Sequence, residues 1–106
     1  MIATQIVNAR VQIDAPLRVG VKINAHLILT NRRGGSITFD QLREVHTRRI
    51  HLLIIDGSLT DYHHEHPVPS NVPGRYDFSF TPQKPGAYRV WADVQPVETD
   101  IQEFAM

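Results

Sequence analysis

The sequence predicts an all-β protein, a two-sheet antiparallel β-sandwich of immunoglobulin-like type with about seven strands, and three observations carry that expectation. Hydrophobicity alternates with period two along most of the chain. Gly and Pro pairs punctuate the alternation at strand-length intervals. The one stretch with a helix-compatible look, FDQLREV at Phe39–Val45, is short enough to read as a loop or a single turn.

The elements follow in order. Ile6 to Ile13 alternates weakly and reads as a first strand, and Ala15-Pro16 separates it from the next. From Leu17 the odd positions are apolar (Leu17, Val19, Val21, Ile23, Ala25, Leu27, Leu29) and the even ones mostly polar, which predicts one long half-buried strand to Thr30. Asn31 to Gly35 is a turn, because paired glycines reach positive φ without a steric penalty.

Ile50 to Ile55 is nearly all apolar and predicts a central strand covered on both faces, ending at Asp56-Gly57. Tyr76, Phe78 and Phe80 alternate with polar residues in a further strand. Pro82 to Gly86 forms a turn, and Tyr88, Val90 and Ala92 share a face in the strand that follows. Trp91 is a candidate for filling the core, although alternation sets it opposite Tyr88 and Val90. Ile101 to Met106 reads as the beginning of a last strand, so the native chain is expected to continue. Residues 1–106 make one domain, since a chain of this length buries a single core.

Composition narrows the function. The chain carries 11 basic and 11 acidic residues, which leaves no electrostatic footprint for nucleic acid or an anionic membrane surface. No run of roughly 18 apolar residues is present, so membrane insertion is not expected. Zero cysteines exclude a disulfide scaffold, a cysteine nucleophile, a thiolate zinc site, an iron–sulfur cluster and a blue-copper centre. Catalytic motifs are missing too: there is no GxSxG elbow and no HExxH, and Gly34-Gly35 lacks the lysine and helix of a phosphate loop. A non-enzymatic role is therefore expected.

The unusual segment is the histidine-rich loop at about residues 61–67, Asp61-Tyr62-His63-His64-Glu65-His66-Pro67. Imidazole is a common metal ligand near neutral pH because it is largely uncharged there and offers a free lone pair. His64 and His66, two apart, project to one side of an extended segment and can share an ion, while His63 and Glu65 project to the other, where His63 is expected in solvent. His46 precedes the central strand and His51 begins it, on one face with Leu53 and Ile55. Asp93 shares a face with Trp91 and offers a ligand or a supporting carboxylate. His26, on the polar face of its strand, reads as a residue without a metal role.

Over about residues 17–106, the stretches HTRRIHLLIIDGSLTDYHHEHPVP and GRYDFSFTPQKPGAYRVWADVQP resemble the YtkA-like family of bacterial exported domains. The most specific pieces are His51-Leu52, His64-x-His66-Pro67, Pro85-Gly86 ahead of Tyr88-Arg89, and Ala92-Asp93 after the aromatic Trp91. The resemblance implies an immunoglobulin-like or cupredoxin-like sandwich that keeps company with heavy-metal and copper-handling proteins. His51, His64 and His66 match the family's recurrent histidines, and His46 and Asp93 match positions that are often polar. The chain departs from copper-export chemistry in having no methionine near the loop, since Met1 and Met106 are terminal. Without soft thioether ligands the preference shifts from Cu(I) to Cu(II), with Zn(II) or Ni(II) next.

The leading expectation is thus a periplasmic or secreted domain that binds a divalent metal ion, Cu(II) first, through His51, His64 and His66, with His46 or Asp93 in support. Storage, delivery or sensing would be its role. The N-terminus, MIATQIVNARVQI, lacks the features of a signal peptide, so export would require that the signal be absent from this chain. A structural or interaction module without metal is the alternative, with Tyr62, Trp91 or the edge of the last strand meeting a partner and a homodimer forming by edge pairing. A pH sensor built on the histidines is a third reading.

Overall fold

A computed structural model describes residues 7–44, 48–95 and 102–105. It shows the expected two-sheet sandwich. The strands are β1 (Val7–Ile13), β2 (Ile23–Asn31), β3 (Ile50–Asp56), β4 (Tyr62–Glu65), β5 (Val68–Pro69), β6 (Arg75–Phe80), β7 (Tyr88–Val94) and β8 (Gln102–Ala105). One sheet runs β1-β2-β6-β5 and the other β4-β3-β7-β8, with every pairing antiparallel. The only helical element among the described residues is a single 3-10 turn at Phe39–Gln41, inside the stretch expected to be a loop or one turn.

The core is the set of alternate residues facing across the two sheets. Ile23, Ala25, Leu27 and Leu29 come from β2 and Tyr76, Phe78 and Phe80 from β6. They meet Ile50, Leu52 and Ile54 of β3 and Ala92 and Val94 of β7. Ile37 and Leu42, flanking the 3-10 turn, close one side. Tyr76 ties that side down, because its buried hydroxyl donates to the Ile37 carbonyl at 2.6 Å.

Four expectations need correction. The strand predicted from Leu17 begins only at Ile23: Gly20 turns the chain at φ +78°, and its N–H donates to the Pro82 carbonyl at 2.7 Å. Val19 and Val21 keep the alternation but have no sheet beneath them and are more than half exposed. The β3 strand is buried on one face only, because a two-layer sandwich has no third layer to cover His51, Leu53 and Ile55. Trp91 lies on that same outer face rather than in the core, with the Arg89 guanidinium 5.7 Å from its ring centre.

The fourth correction concerns the histidine segment, which is a strand rather than a loop. Residues Tyr62–Glu65 form β4 at the edge of the second sheet, and the buried Pro67 carries the chain across to β5 in the first. Ile101 and Met106 lie outside the described residues, and the strand expected at this end is β8.

Candidate metal centre

The turn between β3 and β4 sets the register that assembles the site. Asp56, 2% exposed, accepts the backbone N–H groups of Ser58, Thr60 and Asp61 and the Ser58 hydroxyl. These donors, the Ser58 hydroxyl foremost, hold its carboxyl far below the usual carboxylate range. Leu59 at φ +62° completes the reversal. With the turn held this way, His64 falls opposite Leu53 and Glu65 opposite Leu52. On the other side of β3, Asp93 falls opposite His51 and Trp91 opposite Leu53.

Antiparallel partners share a face. The outer face of the second sheet therefore carries His64, Leu53 and Trp91 in one row, with His51 and Asp93 in the next, and His66 follows β4 at the level of that second row. The expected three histidines converge. Ring centres are 5.0 Å apart for His51 and His66, 5.9 Å for His51 and His64, and 4.8 Å for His64 and His66. One nitrogen from each lies within 4.8 Å of the other two. His64 and His66 are exposed and His51 is half-buried.

This triad can hold a metal ion. A tetrahedral ion at 2.0–2.1 Å from imidazole nitrogen places its ligand atoms about 3.3 Å apart. The spread here is wider by about 1.5 Å, which rotation of the two exposed rings can close at a cost of about 1 kcal/mol per off-rotamer angle. His66 has its tautomer assigned by the backbone: Nδ1–H donates to the Ile50 carbonyl at 3.3 Å, leaving the Nε2 lone pair as the ligand. A nitrogen-only donor set with no thiolate suits Cu(II), Zn(II) or Ni(II).

The supporting residues fare differently. Asp93 is the cross-strand neighbour of His51 but is not one of the three residues whose ligand atoms cluster. His46 lies outside the described residues. His63 departs from its expected solvent position. It turns in toward the gap between the sheets, with its ring 5.1 Å from Phe80 and 6.4 Å from Tyr88. Its Nε2–H donates to Asp61 at 2.9 Å. The same Asp61 oxygen accepts the Tyr88 hydroxyl and the Gln83 N–H, and the tyrosine bond above all holds the Asp61 carboxyl below its usual range. This network anchors the start of β4 to the β6–β7 connection and was not foreseen from the sequence. An Asp two residues before a His in an extended segment was the available local signal, but Tyr88 and Gln83 come from 27 and 22 residues away.

His26 lies on β2 in the first sheet. Its two ring nitrogens each lie 2.7 Å from a carboxylate, Asp77 on β6 and Asp14 ahead of β2, and these bonds raise its pKa above the ordinary histidine value. It staples three segments of the first sheet and takes no part in the triad.

No helix among the described residues is long and apolar enough to cross a membrane. The family described as a domain of unknown function, DUF8832, matches residues 4–105, so the chain belongs to that family. No curated protein and no solved structure matches the chain.

Proposed function

We propose that this DUF8832 domain is a divalent-metal binder that works without chemical turnover, taking up one ion on the outer face of its second sheet through His51, His64 and His66. The observation that carries the reading is the convergence of three imidazoles, one from β3, one from β4 and one just after β4, with His64 and His66 13 and 15 residues beyond His51 and their ligand atoms within 4.8 Å. Cu(II) is the ion we assign first, on the usual order of divalent affinities for nitrogen ligands, with Zn(II) and Ni(II) behind it. Three imidazoles leave at least one coordination position open. Asp93, the cross-strand partner of His51, is the carboxylate we assign to fill or support it.

An exposed site on a sheet edge favours an ion that is loaded and released over one that is permanently structural, because closed structural sites are shielded and four-coordinate. Storage, delivery or sensing fits that exposure. The resemblance to YtkA-like exported domains supports placing this role in the periplasm or outside the cell. β8, at the end of the second sheet, supports edge-to-edge homodimer formation as a secondary proposal. Light scattering on a sizing column tests it: a single monomeric mass at all concentrations removes it.

Calorimetric titration of metal-free protein tests the main reading. Binding of one Cu(II) per chain tighter than micromolar is expected, with weaker binding of Zn(II). His64→Ala and His66→Ala should each weaken it by about 10- to 100-fold. Binding that is absent, or indifferent to both histidine substitutions, would overturn the reading.

A further inference from the structure

Beside the triad lies a cleft of about 350 Å³, at the small end of the range that takes organic ligands. Its walls combine two kinds of surface. Phe39 and Val68 supply its apolar surface, Val68 being 59% exposed, while Ile50 and Pro67 lie buried beneath. Arg48, Arg49 and Glu44 supply the charge. Among the described residues that line it, two guanidiniums against one carboxylate give an excess of a single positive charge, which matches one carboxylate and not a polyphosphate.

The arginines differ in how they are held. Arg49 is pre-positioned, since its Nη1 donates to the Phe39 carbonyl at 2.9 Å and its guanidinium lies 4.7 Å from the Phe39 ring centre. A guanidinium has five N–H donors, so Arg49 retains others for a ligand. Arg48 is exposed. The pair offers charge-assisted, bidentate recognition of a planar carboxylate next to an apolar wall.

His66 belongs to both places. It lines the cleft and is one of the three histidines of the triad, and its Nδ1 hydrogen bond ends on Ile50, which also lines the cleft. From this we infer that the cleft binds a small monocarboxylate with a flat apolar body, the carboxylate on Arg48 and Arg49 and the body against Phe39 and the exposed Val68. The linkage to the ion through His66 rests on the metal reading, whereas the cleft itself does not. An ion on His66 adds positive charge at the cleft wall and tightens the carboxylate, and by reciprocity the carboxylate tightens the ion.

Benzoate is the probe, with benzamide as its uncharged counterpart, followed by amide chemical shifts of the untagged protein. Benzoate should bind the metal-free protein with a Kd of about 1–10 mM, as expected for so small a ligand, and shift Ile50, Val68 and Phe39. Benzamide should bind at least fivefold more weakly. Arg48→Gln, at an exposed position where folding is not at stake, should weaken benzoate about tenfold, and Arg89→Gln on the far strand should leave it unchanged. Shifts that do not saturate, equal binding of benzamide, or an Arg48→Gln protein that binds like the wild type would overturn the cleft. Zn(II) should then tighten benzoate about fivefold. If calorimetry shows Zn(II) bound and the benzoate affinity is unmoved, the linkage is wrong; if neither Cu(II) nor Zn(II) binds, the metal reading fails while benzoate binding to the metal-free protein still decides the cleft.

Discussion

Tyr76→Phe deletes one oxygen and leaves the ring where it is, which makes it a clean test of how the 3-10 turn is fastened to the core. Tyr76 is 1% exposed, and its hydroxyl donates to the carbonyl of Ile37, itself 6% exposed. Phenylalanine keeps the contact with Phe39, whose ring centre lies 6.0 Å away. What is lost is the hydrogen bond, and what is left behind is a buried carbonyl without its donor. Together these cost about 1–3 kcal/mol. Unfolding entropy for a chain of this length is about 0.2 kcal/mol per degree, so a 2 kcal/mol loss lowers Tm by about 9 °C. In urea the midpoint should fall by about 1 M at unchanged slope.

A second signature is available in base. Burial, and secondarily the charge of Asp40, push the Tyr76 pKa from 10.0 up to about 12. The folded state therefore holds its proton after the unfolded chain has released it, and wild-type stability declines from pH 10 toward pH 12 in a way Tyr76→Phe should not. A Tm within about 1 °C of wild type, well short of the shift expected from the hydrogen-bond cost, would refute the reasoning.

Three further outcomes are expected. The carboxylates of Asp77 and Asp14 raise the His26 pKa, so its contribution is full below the ordinary histidine value and is lost as pH rises through the raised one. Urea unfolding of wild type and His26→Gln should accordingly differ more at pH 6 than at pH 8.5, and a pH-independent difference would contradict this. Gly74→Ala should destabilise by about 1–3 kcal/mol, because φ is +80° and a Cβ would lie 2.9 Å from the Leu29 carbonyl oxygen and from the Ser36 Cβ; thermal denaturation measures it. Asp61→Asn removes the charge that accepts from Tyr88, His63 and Gln83, and the pKa of Asp61 is held low by these bonds. Stability that wild type loses as pH falls through that lowered value should be missing from the variant, which acid titration by circular dichroism will show.

The fold was legible where a residue's surroundings follow from its own strand. Ile23 to Leu29 and Tyr76 to Phe80 bury the faces that alternation assigns, because each has a partner sheet across its full length. Alternation records which side a residue faces but not whether anything lies there. Val19 and Val21 continue the pattern past the point where Gly20 bends away to Pro82, a contact 62 residues distant in sequence. Leu53 and Ile55 suggested a strand covered on both sides, yet only two layers exist.

The site divides the same way. His64 and His66 were readable as a pair from their spacing alone, and their meeting with His51 followed from the central strand. The position of His63 was not readable, since Phe80 and Tyr88 draw its ring inward from the other sheet and from β7. Nor was the charged cleft, which joins Phe39, Arg48 and Val68 from three separate parts of the chain.

The central claim is that His51, His64 and His66 hold one ion between them. A crystal of the Cu(II)-loaded protein, measured with anomalous scattering on either side of the copper edge, tests it most directly. The account predicts one anomalous peak per chain on the outer face of the second sheet, about 2.0–2.1 Å from one nitrogen of each of the three rings, with the His66 Nδ1 still donating to Ile50. A peak elsewhere, or the three rings splayed apart with no peak between them, would contradict it.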